Sequence, residues 1–141
     1  MGEAWGRVAQ AGDVLLLAGE LGTGKTTLVR GLARGLGVGH GVKSPTFAIL
    51  LTYPGRLTLH HLDLYRIADP RDLDELGLDD LFGREGVTVV EWAERLGPGT
   101  PPWAARMEIT DLSADSRRLE VSGPRAVVDR LRAAAAGAGE G

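Results

Sequence analysis

No cysteine occurs among the 141 residues, which excludes disulfides, thiolate nucleophiles and cysteine-ligated metal sites. Lysine is scarce: of 16 basic residues only Lys25 and Lys43 are lysine, the rest being arginine. No stretch approaches the ~18 consecutive apolar residues of a membrane span. Met1 is followed by Gly-Glu-Ala-Trp-Gly-Arg, not by a basic segment and an apolar core, so a soluble, cytoplasmic protein without a membrane partner is expected. A net charge of −3 offers no bulk attraction to nucleic acid. Repeats of solenoid or propeller type are also missing. What remains is ordinary globular usage, 43% hydrophobic and 25% charged, enough for one core. The expected organisation is a single domain over residues 1–136 with a flexible tail at 137–141.

The strongest positive signal is Gly19-Glu-Leu-Gly-Thr-Gly-Lys-Thr26, a full match to the phosphate-binding P-loop, directly after the apolar run Val14 to Ala18. The residue types are those the chemistry needs. Glycines let backbone N–H groups surround a β-phosphate, Lys25 brings a point charge to the β- and γ-phosphates, and Thr26 offers a hydroxyl to Mg²⁺. Leu28, Val29, Leu32, Ala33 and Leu36 then recur at helical spacing before Gly37, so the P-loop opens a helix whose N-terminus faces the phosphates. With 21 glycines, chance matches are less rare than usual, but a lysine at this position in a lysine-poor chain is hard to ascribe to background.

Beyond a glycine-rich break at 35–41, the apolar run Ala48 to Leu51, a turn at Tyr53 to Arg56, and the segment Leu57 to Tyr65 predict an antiparallel hairpin. Asp69-Pro70 predicts a helix start, with Leu73, Leu76 and Leu81 on one side and an interruption near Gly77, giving one kinked helix or two short ones. Val87 to Trp92 predicts a buried strand. Arg106 to Thr110 and Arg118 to Ser122 predict a second hairpin, and Pro124 opens a last helix that is expected to dissolve into small residues from Ala133. The fold class that results is α/β, with a mixed central sheet flanked by helices.

A P-loop needs a further acid to hold Mg²⁺ or its waters, delivered from the end of a neighbouring strand. Asp63 and Glu91 both end apolar strands. Asp63 is assigned to the metal and Glu91 to the attacking water, with the exchange of roles left open; either could instead cap its strand or pair with Arg66 or Arg95. Ser44-Pro45-Thr46 has the makings of a switch whose hydroxyl meets the γ-phosphate, or of a simple strand start. Trp92 lies beside the nucleotide or in the core. His60 and His61 alternate faces without a third ligand at metal spacing, and are read as one solvated and one partly buried histidine.

From Ala11 to about Val121 the chain resembles the TsaE (YjeE) ATPases of bacterial tRNA threonylcarbamoyladenosine biosynthesis. The resemblance rests on four motifs in order: Gly19 to Thr27, Ser44-Pro45-Thr46-Phe47, His61-Leu62-Asp63-Leu64-Tyr65-Arg66 and Val90-Glu91-Trp92-Ala93-Glu94-Arg95. It implies a P-loop NTPase domain with weak ATPase activity of its own. Such a protein docks on TsaD and TsaB, where TsaD transfers threonylcarbamoyl to the adenosine beside the tRNA anticodon, so tRNA is met only through the complex. Glu20, Leu21, Gly22, Thr23, Gly24, Lys25, Thr26 and Thr27 would hold ATP, with Thr46 at the γ-phosphate and Trp92 nearby. Thr26, Asp63 and Glu91 would meet Mg²⁺, and Lys25, Asp63 and Glu91 would serve catalysis. Against the family pattern, a segment usual before the turn at Gln10-Ala11-Gly12-Asp13 is missing, which implies either weaker nucleotide affinity or solubility or a true start upstream, and Ala93 stands where proline is common.

Other classes fare worse. A GTPase of the Asn-Lys-x-Asp type is excluded because Lys25 precedes Thr-Thr and Lys43 precedes Ser-Pro. A small-molecule P-loop kinase would need an arginine-rich lid and an acceptor pocket, for which little chain is left. A non-hydrolytic nucleotide-dependent adaptor differs only in whether Asp63 and Glu91 complete a hydrolytic site. Seven acids between Asp69 and Glu85, against only Arg71 and Arg84, argue against direct tRNA contact there.

Overall fold

The structure, a computed structural model, describes residues 2–19, 25–38, 50–67, 69, 71, 73, 77–82, 86–113 and 117–139. Ten regular elements follow one another among them: α1 (Gly2–Val8), β1 (Val14–Ala18), α2 (Lys25–Gly35), β2 (Leu50–Tyr53), β3 (Leu59–Asp63), α3 (Leu78–Leu81), β4 (Val87–Glu91), β5 (Ala105–Asp111), β6 (Arg117–Ser122) and α4 (Arg125–Gly139). A 3-10 segment, Ala93–Gly99, follows β4.

The strands form one mixed sheet in the order β2-β3-β4-β1-β5-β6. The four inner strands are parallel, and the two edge strands pair antiparallel through the hairpins expected from sequence. Strands β1 and β4 are buried along their whole lengths, as continuous apolar runs between two covered faces require. On one face Leu15, Leu17, Val87, Val89 and Met107 pack against Trp5 of α1, Val29 and Leu32 of α2, Leu36 just after it and Leu131 of α4. Val14, Leu16, Leu62 and Val90 on the other face meet Leu73, Phe82 and Leu96.

Helix α1 has no counterpart in the sequence reading, because seven residues with glycine at two of them give little helical signal. Tertiary contacts hold it. Its glycines Gly2 and Gly6 lie directly on Gly31 and Gly35 of α2, so close that a Cβ on Gly35 would overlap the Glu3 carbonyl oxygen and one on Gly6 that of Leu32. Arg56 donates to the carbonyls of Gly6 (2.8 Å) and Ala9 (3.1 Å), satisfying the open end of the helix. Trp5 Nε1 donates to the Leu131 carbonyl at 2.8 Å, and Arg130 bridges Val8 and Asp13, with 2.6 Å to the carboxylate. Gly35→Ala is therefore expected to destabilise the fold by about 1–3 kcal/mol despite alanine's better helix propensity; an undiminished urea midpoint would contradict this packing.

After β3, among the described residues, the one α-helical turn is α3, preceded by Gly77 at φ 64°, where the interruption is expected. Helix α4 continues to Gly139, past the alanines at which it was expected to dissolve, since alanine is the best helix former. No described helix is long and apolar enough to cross a membrane.

Candidate functional site

Parallel pairing brings the C-terminal ends of β1, β3 and β4 to the same edge of the sheet from which α2 departs. Ligands of open α/β sheets bind at such edges. In register, Leu17 lies opposite Glu91, and Asp63 lies opposite Glu91 from the other side. The two acids singled out from sequence are thus lateral neighbours on adjacent strands, and period-two alternation directs both to the face covered by α2.

Lys25 opens α2 and is 6% exposed. Its Nζ donates to the Gly19 carbonyl at 2.8 Å and stands 4.3 Å from the centre of the Trp92 ring. A buried ammonium is thereby compensated by a carbonyl dipole and an aromatic face. Trp92 itself holds φ 58°, ψ 43°, a left-handed conformation that costs a bulky residue about 1–2 kcal/mol and is the signature of a functional or overdetermined turn. The turn swings the tryptophan out of the strand direction so that its ring reaches Lys25, with Tyr65 at 5.0 Å and the Arg95 guanidinium at 5.7 Å from it. Trp92 is partly buried, so it is neither free nor simply core. Arg95 donates to the Ile67 carbonyl and forms no ion pair with either acid.

Burial pushes the Asp63 carboxyl up from the ordinary aspartate range, and the negative charge of Glu91 adds to this, while the backbone N–H of Tyr65, donating to Asp63 Oδ1 at 2.9 Å, opposes it. Asp63 and Glu91 set two carboxyl groups side by side, and a hard divalent cation with oxygen ligands fits that donor set. Among the described residues no group of three or more acids or histidines could hold a metal ion alone. Magnesium in nucleotide sites needs no such cage, since it takes one or two protein oxygens and completes its shell with phosphates and waters.

The structure also corrects the reading of the histidines. His61 is fully buried, and its Nε2 lies 2.6 Å from Oε2 of Glu91, itself only 4% exposed. His60 is half-buried, with its Nδ1 3.2 Å from the Thr52 hydroxyl. The signal for His61 was present in the sequence: it stands two residues before Asp63 in the same strand and so shares its face. Without the register of β3 on β4, nothing indicated that this face meets Glu91. Sequence gives Tyr65 no role and Arg95 only an alternative pairing with one of the acids. Glu20, Leu21, Gly22, Thr23, Gly24 and Thr46, and the side chain of Thr26, lie outside the described residues; Thr27 is in the first turn of α2 and exposed.

A family model described as threonylcarbamoyl adenosine biosynthesis protein TsaE matches residues 1–119. The protein of that name from Treponema pallidum is 39% identical over 121 residues, covering 86% of this chain and 90% of the relative. Its namesake from Bacillus subtilis is 43% identical over 112 residues, 79% of this chain and 70% of the other. The fold is similar to the crystal structure of Bacillus subtilis YdiB, with a TM-score of 0.77 and 31% identity over 96% of this chain and 85% of that one. A likeness in both sequence and fold that runs from β1 and the P-loop through both strand-end acids makes this chain a member of the TsaE family of tRNA threonylcarbamoyladenosine biosynthesis.

Proposed function

We propose that this protein binds and hydrolyses ATP as the nucleotide-dependent subunit of the tRNA threonylcarbamoyladenosine machinery, docking on TsaD and TsaB and supporting repeated threonylcarbamoyl transfer. The observation that supports this most is the meeting of Lys25, at the start of α2, with the Glu91-Trp92 corner at the end of β4. A phosphate-binding lysine and a carboxylate then share one buried edge.

In this reading, the glycine-rich loop and Lys25 hold the β- and γ-phosphates, and Lys25 exchanges the Gly19 carbonyl for phosphate oxygens. Thr26, Asp63 and Glu91 would supply oxygen ligands for Mg²⁺, directly or through water, and the ion would offset phosphate charge. Glu91 orients the attacking water and accepts its proton as the water oxygen bonds to the γ-phosphorus. The bond to the β,γ-bridging oxygen breaks, and ADP leaves with that electron pair. Catalysis of this kind is mainly positioning and charge stabilisation, which suits acids on rigid strand ends.

Phosphate release from ATP, measured with the protein alone and with TsaD and TsaB added, tests the proposal. Stimulation by the partners that disappears in Glu91→Ala supports a partner-activated ATPase. Complex formation and nucleotide binding without any stimulation would favour a non-hydrolytic adaptor instead. The proposed switch carries its own expectation: Thr46→Ala should reduce the preference for ATP over ADP by about tenfold, the worth of one hydrogen bond to a charged group. Unchanged discrimination by titration calorimetry would leave Ser44-Pro45-Thr46 as a turn.

A further inference from the structure

On the α2 face Glu91 has Leu17 beside it on β1, Asp63 beside it on β3 and Val89 behind it on β4. At 4% exposure, water does little to hold its carboxylate. Among the described residues, the one side chain that hydrogen-bonds it is His61, which sits opposite Val89 and is therefore its diagonal neighbour across β3 and β4. The contact, 2.6 Å between Nε2 and Oε2, is short even for a charge-assisted bond. Among the described residues the other ring nitrogen, Nδ1, is buried without a partner.

That asymmetry decides the direction of the bond. A buried N–H without an acceptor is rarer and costlier than a buried lone pair without a donor. The ring is therefore the tautomer with hydrogen on Nε2 and a bare lone pair on Nδ1, and Nε2–H donates to Glu91. One carboxylate oxygen is tied down, and the plane of the carboxylate is set by a ring that cannot itself turn, being fully buried in β3.

We propose that His61 is a positioning residue for ATP hydrolysis, fixing the Glu91 carboxylate through one oxygen so that the other is held toward the attacking water. The inference rests on the reading of Glu91 as the group that handles that water. It separates His61 from a merely structural core residue, because the donor, not the volume, is what matters.

The test uses the full chain with TsaD and TsaB present, comparing His61→Leu, His61→Gln and Glu91→Ala in steady-state ATP turnover and in nucleotide titration. His61→Leu keeps the bulk but removes the donor, and should lower kcat by about 10–10²-fold, the cost of a misplaced reacting group, with little change in nucleotide affinity. His61→Gln restores an N–H donor and should recover most of the rate. In a Glu91→Ala background His61→Leu should add nothing. A kcat within twofold of wild type in His61→Leu, an equal loss in His61→Gln, or a parallel loss of affinity would each overturn the inference. If Glu91→Ala alone left turnover intact, the reading of Glu91 would fail first and separately. Should His61→Leu not fold, nitrogen NMR of the wild-type histidine rings still decides: protonation at Nε2, with a resonance moved by Glu91→Gln, is expected, and protonation at Nδ1 would overturn the bond direction on which the proposal stands.

Discussion

Replacing Glu91 by alanine should lower partner-stimulated ATP turnover by about 10²–10⁴-fold, the usual contribution of a positioned general base, while Mg·ATP binding stays within a few fold of wild type. The reason for the split lies in where Glu91 stands. It ends β4 next to Asp63, and in the proposed reading the phosphates are held by backbone N–H groups and Lys25, not by Glu91. Its removal does leave the buried Nε2–H of His61 without an acceptor, which predicts a loss of stability of about 1–3 kcal/mol alongside the loss of rate. Glu91→Gln keeps an acceptor for His61 but cannot take a proton, and should be inactive yet better folded than Glu91→Ala. Turnover by phosphate release, affinity by calorimetry and urea unfolding separate these effects. Equal loss of affinity in Glu91→Ala and Lys25→Ala would refute the division of roles.

Lys25→Ala should instead weaken nucleotide binding by about 10–150-fold, corresponding to roughly 1.5–3 kcal/mol for hydrogen bonds to a charged group. Lys25→Arg should not rescue it, because a planar guanidinium cannot replace a compact point charge in a 6%-exposed niche between the Gly19 carbonyl and the Trp92 ring. The same niche supplies an optical readout. Nucleotide should draw the ammonium off the ring 4.3 Å away, so Trp92 emission should change on ATP addition to wild type and not to Lys25→Ala. Emission that is insensitive to saturating ATP in wild type would mean that Lys25 does not leave the tryptophan.

Much of the molecule was legible in the residues. The P-loop helix, the buried strands at 14–18 and 87–91 and both hairpins are local patterns: apolar runs of strand length, helical spacing and turn residues between them. The acids Asp63 and Glu91 could be placed at strand ends for the same reason, and their convergence was a fair inference from parallel strands that share an edge. Helix α1 escaped because its cause is not local. Its glycines are poor helix formers, and what they provide is an approach to α2 that any side chain would block.

The sequence by itself determined that this chain carries a phosphate-binding loop on an α/β sheet, since spacing and residue type along a few consecutive positions are enough to specify a strand, a glycine-rich turn and a helix. Only the tertiary structure decided what surrounds the site. His61 finds Glu91 across 30 residues of chain, Lys25 rests on Trp92, and Trp92 takes a left-handed backbone to reach it. Each of these is a contact between strands or across the sheet edge. It depends on register and burial, which no stretch of neighbouring residues encodes.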